Sequence, residues 1–190
     1  MVTTRDNYRV LIVPGLHGSG PEHWQSRWEA QHADFERVHQ DDWSIPDLPR
    51  WSWKLEQTLA QSDRPTLIVA HSFGCLTTIH ANRHGRFNIA GALLVAPADP
   101  DKFHVANALR DVRLSCPSVV VGSTNDPWMN AARASYWADV WGCGFLNAGA
   151  LGHINAESGL GDWEQGWQQF ERLRDITDTL AHPRHLSVLR

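Results

Sequence analysis

Residues 65–74, PTLIVAHSFG, decide how this chain is read. The first half is a run of apolar and β-branched residues, too short for a helix and uniform rather than alternating. That is the pattern of a strand covered on both faces of a parallel sheet. It runs without a break into Ala70-His71-Ser72-Phe73-Gly74, a small-x-Ser-x-Gly turn, and then into a helical stretch ending near residue 84. A turn this tight forces its central residue into a strained backbone conformation and lifts the Ser72 hydroxyl clear of the sheet, which makes Ser72 a candidate nucleophile. Small residues are needed two positions to either side because the strand and helix backbones nearly touch there. Gly74 meets that need, and Ala70 stands where glycine is more usual. A helix N-cap is the competing reading of Ser72.

The same alternation continues in both directions. Residues 9–14 (RVLIVP) form a second buried strand ended by Pro-Gly, and Pro21 opens a helix that Trp24 and Trp28 carry to about residue 32. A weak strand over 35–40 and a proline-punctuated loop over 41–49 (DDWSIPDLP) precede a helix over 50–61. Strands over 89–96, 118–121 and 144–147 follow, with helices between them and a last long helix over 162–180. Alternating strands and helices imply an α/β fold with about six mostly parallel strands and helices on both faces. A chain of 190 residues fits one such domain, with 1–8 and 182–190 as peripheral tails.

Composition narrows the function. Seventeen Lys and Arg against 21 Asp and Glu, with no basic run, leave no footprint for a phosphate backbone, so no nucleic acid is expected. No apolar run approaches the roughly 18 residues that span a bilayer, and the first eight residues are polar, so neither a membrane span nor a secretory signal is expected. Three cysteines, Cys75, Cys116 and Cys143, lack metal or disulfide spacing and read as buried or semi-buried thiols in a reducing compartment, the cytoplasm by default. The ten tryptophans recur at helical spacing (Trp24 and Trp28, Trp137 and Trp141, Trp163 and Trp167), which assigns them to sealing helices onto the sheet rather than to an aromatic cage. Trp43 and Trp128 fall in loops at strand ends and are placed instead on a pocket wall.

A serine hydroxyl is a weak nucleophile at neutral pH, so Ser72 needs a base, and the base needs an orienting carboxylate. Gly122-Ser123-Thr124-Asn125-Asp126-Pro127 puts Asp126 just past the 118–121 strand, and Gly149-Ala150-Leu151-Gly152-His153 puts His153 in the loop after 144–147. Ser72, Asp126 and His153 thus follow the chain order of an α/β-hydrolase triad. Asp99 or Asp101, in the loop after the preceding strand, is the alternative acid. An oxyanion hole needs two preorganised N–H groups. Phe73 supplies one at the start of its helix, and the loop Pro14-Gly15-Leu16-His17-Gly18 supplies the other, from Leu16 first and His17 second.

On these motifs the chain resembles the small α/β-hydrolases grouped with retinoblastoma-binding protein 9 and the bacterial YdeN-like proteins, over about residues 9–180. The resemblance implies a six-stranded parallel sheet and Ser72, Asp126 and His153 as the triad. It also implies hydrolase activity of esterase or peptidase type, in a family where binding a protein partner can accompany or replace catalysis. Only about twenty residues separate Ala96 from Ser118, too few for a helical lid. An open cleft rimmed by Leu16, His17, Trp43, Phe73, Phe103 and Trp128 suits a small ester or amide, acyl or aminoacyl, with His17, Trp43 and Trp128 contacting it.

Two other chemistries fail on spacing. Gly15, Gly18 and Gly20 read G-x-x-G-x-G, and Pro21-Glu22 stands where a phosphate loop needs Lys-Ser/Thr. His80 and His84 are one helical turn apart, but Ala81 stands where a zinc hydrolase needs glutamate. No cofactor or metal is expected. The alternative to a serine hydrolase is a catalytically weak hydrolase fold that serves as a protein-binding module.

Overall fold

The structure, a computed structural model, describes residues 7–182. The uniform apolar runs become central strands: β1 (Arg9–Val13), β3 (Thr66–His71) and β4 (Ile89–Val95) are buried almost throughout. With β2 (Phe35–Arg37), β5 (Ser118–Gly122) and β6 (Gly144–Asn147) they make one parallel sheet in the order β2-β1-β3-β4-β5-β6. Strand side chains alternate between faces, so Leu67 and Val69 of β3 point to one layer and Ile68 and Ala70 to the other. The first layer holds α1 (Trp24–Gln31) and α6 (Glu164–Ala181). The second holds α2 (Leu48–Leu59), α3 (Phe73–Ala81), the short α4 (Ala106–Leu109) and α5 (Ala131–Trp141).

Tryptophans weld these layers. Trp24 and Trp28 of α1 pack edge-to-face, ring centroids 4.7 Å apart, and both meet Trp163 before α6. Trp51, Trp137 and Trp141 fill the opposite layer, each at most 2% exposed. Trp53 and Trp128 are the exceptions, about half exposed.

Several boundaries differ from the sequence expectation, for local reasons. Helix α2 starts at Leu48 rather than Arg50 because the Asp47 carboxylate accepts the Arg50 N–H at 3.0 Å and a proline is tolerated in the first turn. Strand β2 closes after three residues at the sheet edge, where only β1 pairs with it. Helix α3 ends at Ala81, three residues before the expected point. Of the expected tails, residues 1–6 and 183–190 lie outside the described residues; Tyr8, assigned to the first tail, is instead 6% exposed and packs in the α1/α6 layer. Among the described residues no helix is long and apolar enough to cross a membrane.

The chain leaves β1 toward β2, then crosses back to place β3 on the other side of β1. This reversal puts the carboxyl ends of β1 and β3 at the topological switch point, where loops diverge and leave a crevice.

Candidate active site

The loop between β3 and α3 holds Ser72 at φ 54°, ψ −122°, a positive-φ conformation that a non-glycine residue rarely adopts. The close approach that this turn requires is visible at two glycines. A Cβ on Gly74 would lie 2.2 Å from the Val13 carbonyl oxygen, and one on Gly15 would lie 2.7 Å from the Ser72 Cβ. Ala70 is fully buried, and the turn keeps its positive-φ serine with alanine at that position.

Around this serine the later loops converge. His153 Nε2 lies 2.9 Å from Ser72 Oγ, and His153 Nδ1 lies 2.9 Å and 3.1 Å from the two carboxylate oxygens of Asp126. The Asp126 side chain is wholly buried, and its Oδ1 also accepts the backbone N–H of Trp128 at 2.9 Å. A buried carboxylate needs such partners to remain an anion. Asp99 and Asp101 are engaged elsewhere: the Arg133 guanidinium of α5 donates to Asp99 at 2.7 Å and 3.2 Å and also binds Asp101.

The loop after β1 packs against the elbow. Its His17 N–H donates to the Trp43 carbonyl at 3.0 Å, so the His17 amide is occupied and Leu16 remains the candidate on that loop. A Cβ on Gly15 would lie 3.1 Å from the Phe73 nitrogen, which sets this loop beside the first amide of α3. Arg37, at the end of β2, fixes the loop from outside by donating to the carbonyls of Gly18 and Ser19 while pairing with Glu29.

Ser72 and His153 open onto a cleft of about 430 Å³. Leu16, Ala98, Phe103 and Trp128 supply apolar wall, and His17, Asn155 and Glu157 supply polar rim. Trp43, expected on this wall, lies outside it. Its ring covers Gly18, where a Cβ would come within 3.0 Å, and packs edge-to-face on Trp51, because its carbonyl is tied to His17. Phe73 contributes no wall either; its fully buried ring packs on Trp51 and Phe103. A larger hollow of about 690 Å³ between α1 and α6 contains none of Ser72, Asp126 and His153.

Several residues that position this arrangement escape a motif search. Ser123 and Asn125 stitch the acid loop to the histidine loop: Ser123 Oγ accepts the Leu151 N–H at 2.9 Å, and Asn125 Oδ1 accepts the Gly152 N–H at 2.7 Å. They lie in the turn that supplies Asp126, yet a turn rich in Ser, Thr and Asn reads equally as ordinary loop chemistry. Two further imidazoles are buried beside the cleft. Desolvation, then the charge of Arg37, lowers His23 to about 3, and desolvation followed by its histidine neighbours holds His71 well below the usual imidazole range. Burial likewise pushes the Cys75 thiol well up, consistent with packing rather than nucleophilic use.

Comparison with known proteins shows the family and the fold. The family model described as serine hydrolase matches residues 10–172. The chain is similar to the structure of a YdeN-like hydrolase from Pectobacterium atrosepticum, at 37% identity over 92% of this chain and 94% of that one, with a TM-score of 0.87. The ydeN gene product of B. subtilis shares the fold at 16% identity and a TM-score of 0.72, over 86% of this chain and 97% of that one. An esterase from Thermogutta terrifontis shares it more distantly, at 16% identity and a TM-score of 0.62, over 88% and 90%. Among curated proteins none matches the sequence. It is the YdeN-like side of the resemblance that these matches carry, and with the match over most of its length the chain belongs to the serine hydrolase family.

Proposed function

We propose that this hydrolase cleaves small esters or amides through an acyl-enzyme, with Ser72 as nucleophile, His153 as general base and acid, and Asp126 as the orienting carboxylate. The observation that carries the reading is the continuous hydrogen-bonded line from Ser72 Oγ through His153 to a buried Asp126. In this scheme Asp126 accepts from Nδ1–H, which leaves the Nε2 lone pair facing the serine hydroxyl. His153 takes the Ser72 proton as Oγ attacks the carbonyl, then returns it to the departing alcohol or amine. The backbone N–H groups of Leu16 and Phe73 receive the negative charge that develops on the carbonyl oxygen, helped by the N-terminus of α3. Water deacylates the serine by the same steps in reverse order.

The cleft supports a small substrate. At about 430 Å³ it has room for an acyl group against Leu16, Phe103 and Trp128 with the leaving group toward the His17 and Asn155 side. The 20-odd residues after β4 hold only the single-turn α4, and no lid covers Ser72 in the described chain. The cytoplasm is the compartment proposed, on the grounds of the thiols.

Steady-state hydrolysis of short-chain p-nitrophenyl esters tests the assignment. Ser72→Ala and His153→Ala should each lower kcat by about 10⁴-fold or more. Asp126→Asn, which keeps the shape but favours the wrong imidazole tautomer, should lower it by about 10³ to 10⁴-fold. A Ser72→Ala enzyme that retained a tenth of wild-type activity would remove Ser72 from the mechanism.

A further inference from the structure

His153 sits in a segment of unusual backbone. Gly152 before it has φ +60°, and Ile154 after it has φ +47° with its side chain fully buried, a conformation that a β-branched residue rarely takes unless its surroundings impose it. The surroundings here are two buried ring donors acting on successive carbonyls. Trp24 Nε1–H of α1 donates to the Ile154 oxygen at 2.8 Å, and the His71 ring nitrogen Nε2 lies 2.9 Å from the His153 oxygen. A carbonyl only accepts, so His71 Nε2 carries the proton. Burial keeps His71 neutral, which makes this its single N–H.

The position of His71 gives this bond its significance, because His71 is covalently next to Ser72. Nucleophile and base are therefore joined twice, once through Ser72 Oγ and His153 Nε2, and once through the His71 ring and the His153 backbone. The two imidazole rings also pack against each other, with centroids 4.9 Å apart. We propose that His71 is a positioning residue: its Nε2–H bond to the His153 carbonyl holds the base loop in its strained conformation and sets the approach of His153 to Ser72. The inference rests on Ser72 and His153 being nucleophile and base.

If His71 merely filled space between His23, Trp24 and His153, any side chain of similar size would serve. If the donor matters, the position of the nitrogen decides. Glutamine carries an amide nitrogen near the place of Nε2, asparagine stops short of it, and leucine fills volume without a donor. The experiment compares kcat and KM for a short-chain p-nitrophenyl ester in wild type, His71→Gln, His71→Asn and His71→Leu, with thermal midpoints alongside and Ser72→Ala as the blank. The expected result is a kcat lowered about 10- to 100-fold in the Asn and Leu variants, with KM within about twofold and recovery in Gln to within about fivefold of wild type. Should the Leu variant not fold, the Gln and Asn pair alone decides. Equal kcat across the series, or a folded Gln variant as slow as the Asn variant, overturns the proposal while wild-type activity above the Ser72→Ala blank leaves the hydrolase reading standing. Wild-type activity no greater than that blank overturns both.

Discussion

Gly74, in the first turn of α3, and Gly20, in the loop after β1, face opposite constraints. A Cβ on Gly74 would collide with the carbonyls of Val13 and Pro14 at 2.2 Å and 2.6 Å, whereas nothing lies within 4 Å of one on Gly20. Backbone atoms of β1 have no room to yield, since they are paired to β2 and β3. Gly74→Ala should therefore lower unfolding stability by at least about 3 kcal/mol, and Gly20→Ala by less than about 0.5 kcal/mol. Urea unfolding of the two variants beside wild type checks this, and equal losses would mean that the elbow is looser than drawn. Residue identity of this kind was legible in the sequence, because a tight strand-to-helix turn demands small neighbours by geometry alone. What the pattern does not carry is the fate of individual amides and rings. Trp43 reads as pocket wall by its place in a loop, yet the His17 N–H on its carbonyl and the bare face of Gly18 draw its ring inward.

At the scale of elements, α1 has a terminus whose chemistry reaches the site. His23 is its N-cap: Nδ1 accepts the Gln25 N–H at 3.2 Å, which fixes the proton on Nε2 of a ring only 4% exposed. With its folded pKa lowered to about 3 from 6.5, His23 stays neutral in the folded state while the unfolded chain takes up a proton below 6.5. Its stabilising contribution is thus complete above pH 6.5 and is lost as the pH falls toward 3, by up to about 1.4 kcal/mol per pH unit. His71 has the same sign. His23→Asn retains an N-cap acceptor and removes one of the two titrations. Between pH 7 and pH 5 its unfolding free energy should fall by roughly 1 to 2 kcal/mol less than that of wild type; parallel falls would contradict the neutral buried ring. The elements themselves followed from periodicity, since buried parallel strands and tryptophan-bearing helices have unlike patterns. Their ends did not: Asp47 capping α2 two residues early and the short edge strand β2 depend on hydrogen bonds that no hydropathy pattern records.

For the whole molecule, the sheet order matters more than any single loop. Because all six strands are parallel, four loops that are far apart in sequence meet at one end of the sheet, and the strand order puts the switch point between β1 and β3 among them. They bring the Leu16 segment, Ser72, Asp126 and His153 together. The order of these residues along the chain could be read in advance, as each follows a recognisable strand. The bonds that lock the loops to one another could not, because Ser123, Asn125, His71 and Trp24 act through backbone groups of residues between 27 and 130 positions away. Trp128, half exposed, stands on the wall of the cleft into which Ser72 and His153 open.

A serine activated by this framework is trapped covalently by a fluorophosphonate, with the adduct read by intact mass and peptide mapping. A single adduct on Ser72 is expected in the wild type, none in Ser72→Ala, and strongly slowed labelling in Asp126→Ala. An adduct on another residue, or none under conditions that label a control serine hydrolase, would contradict this activation.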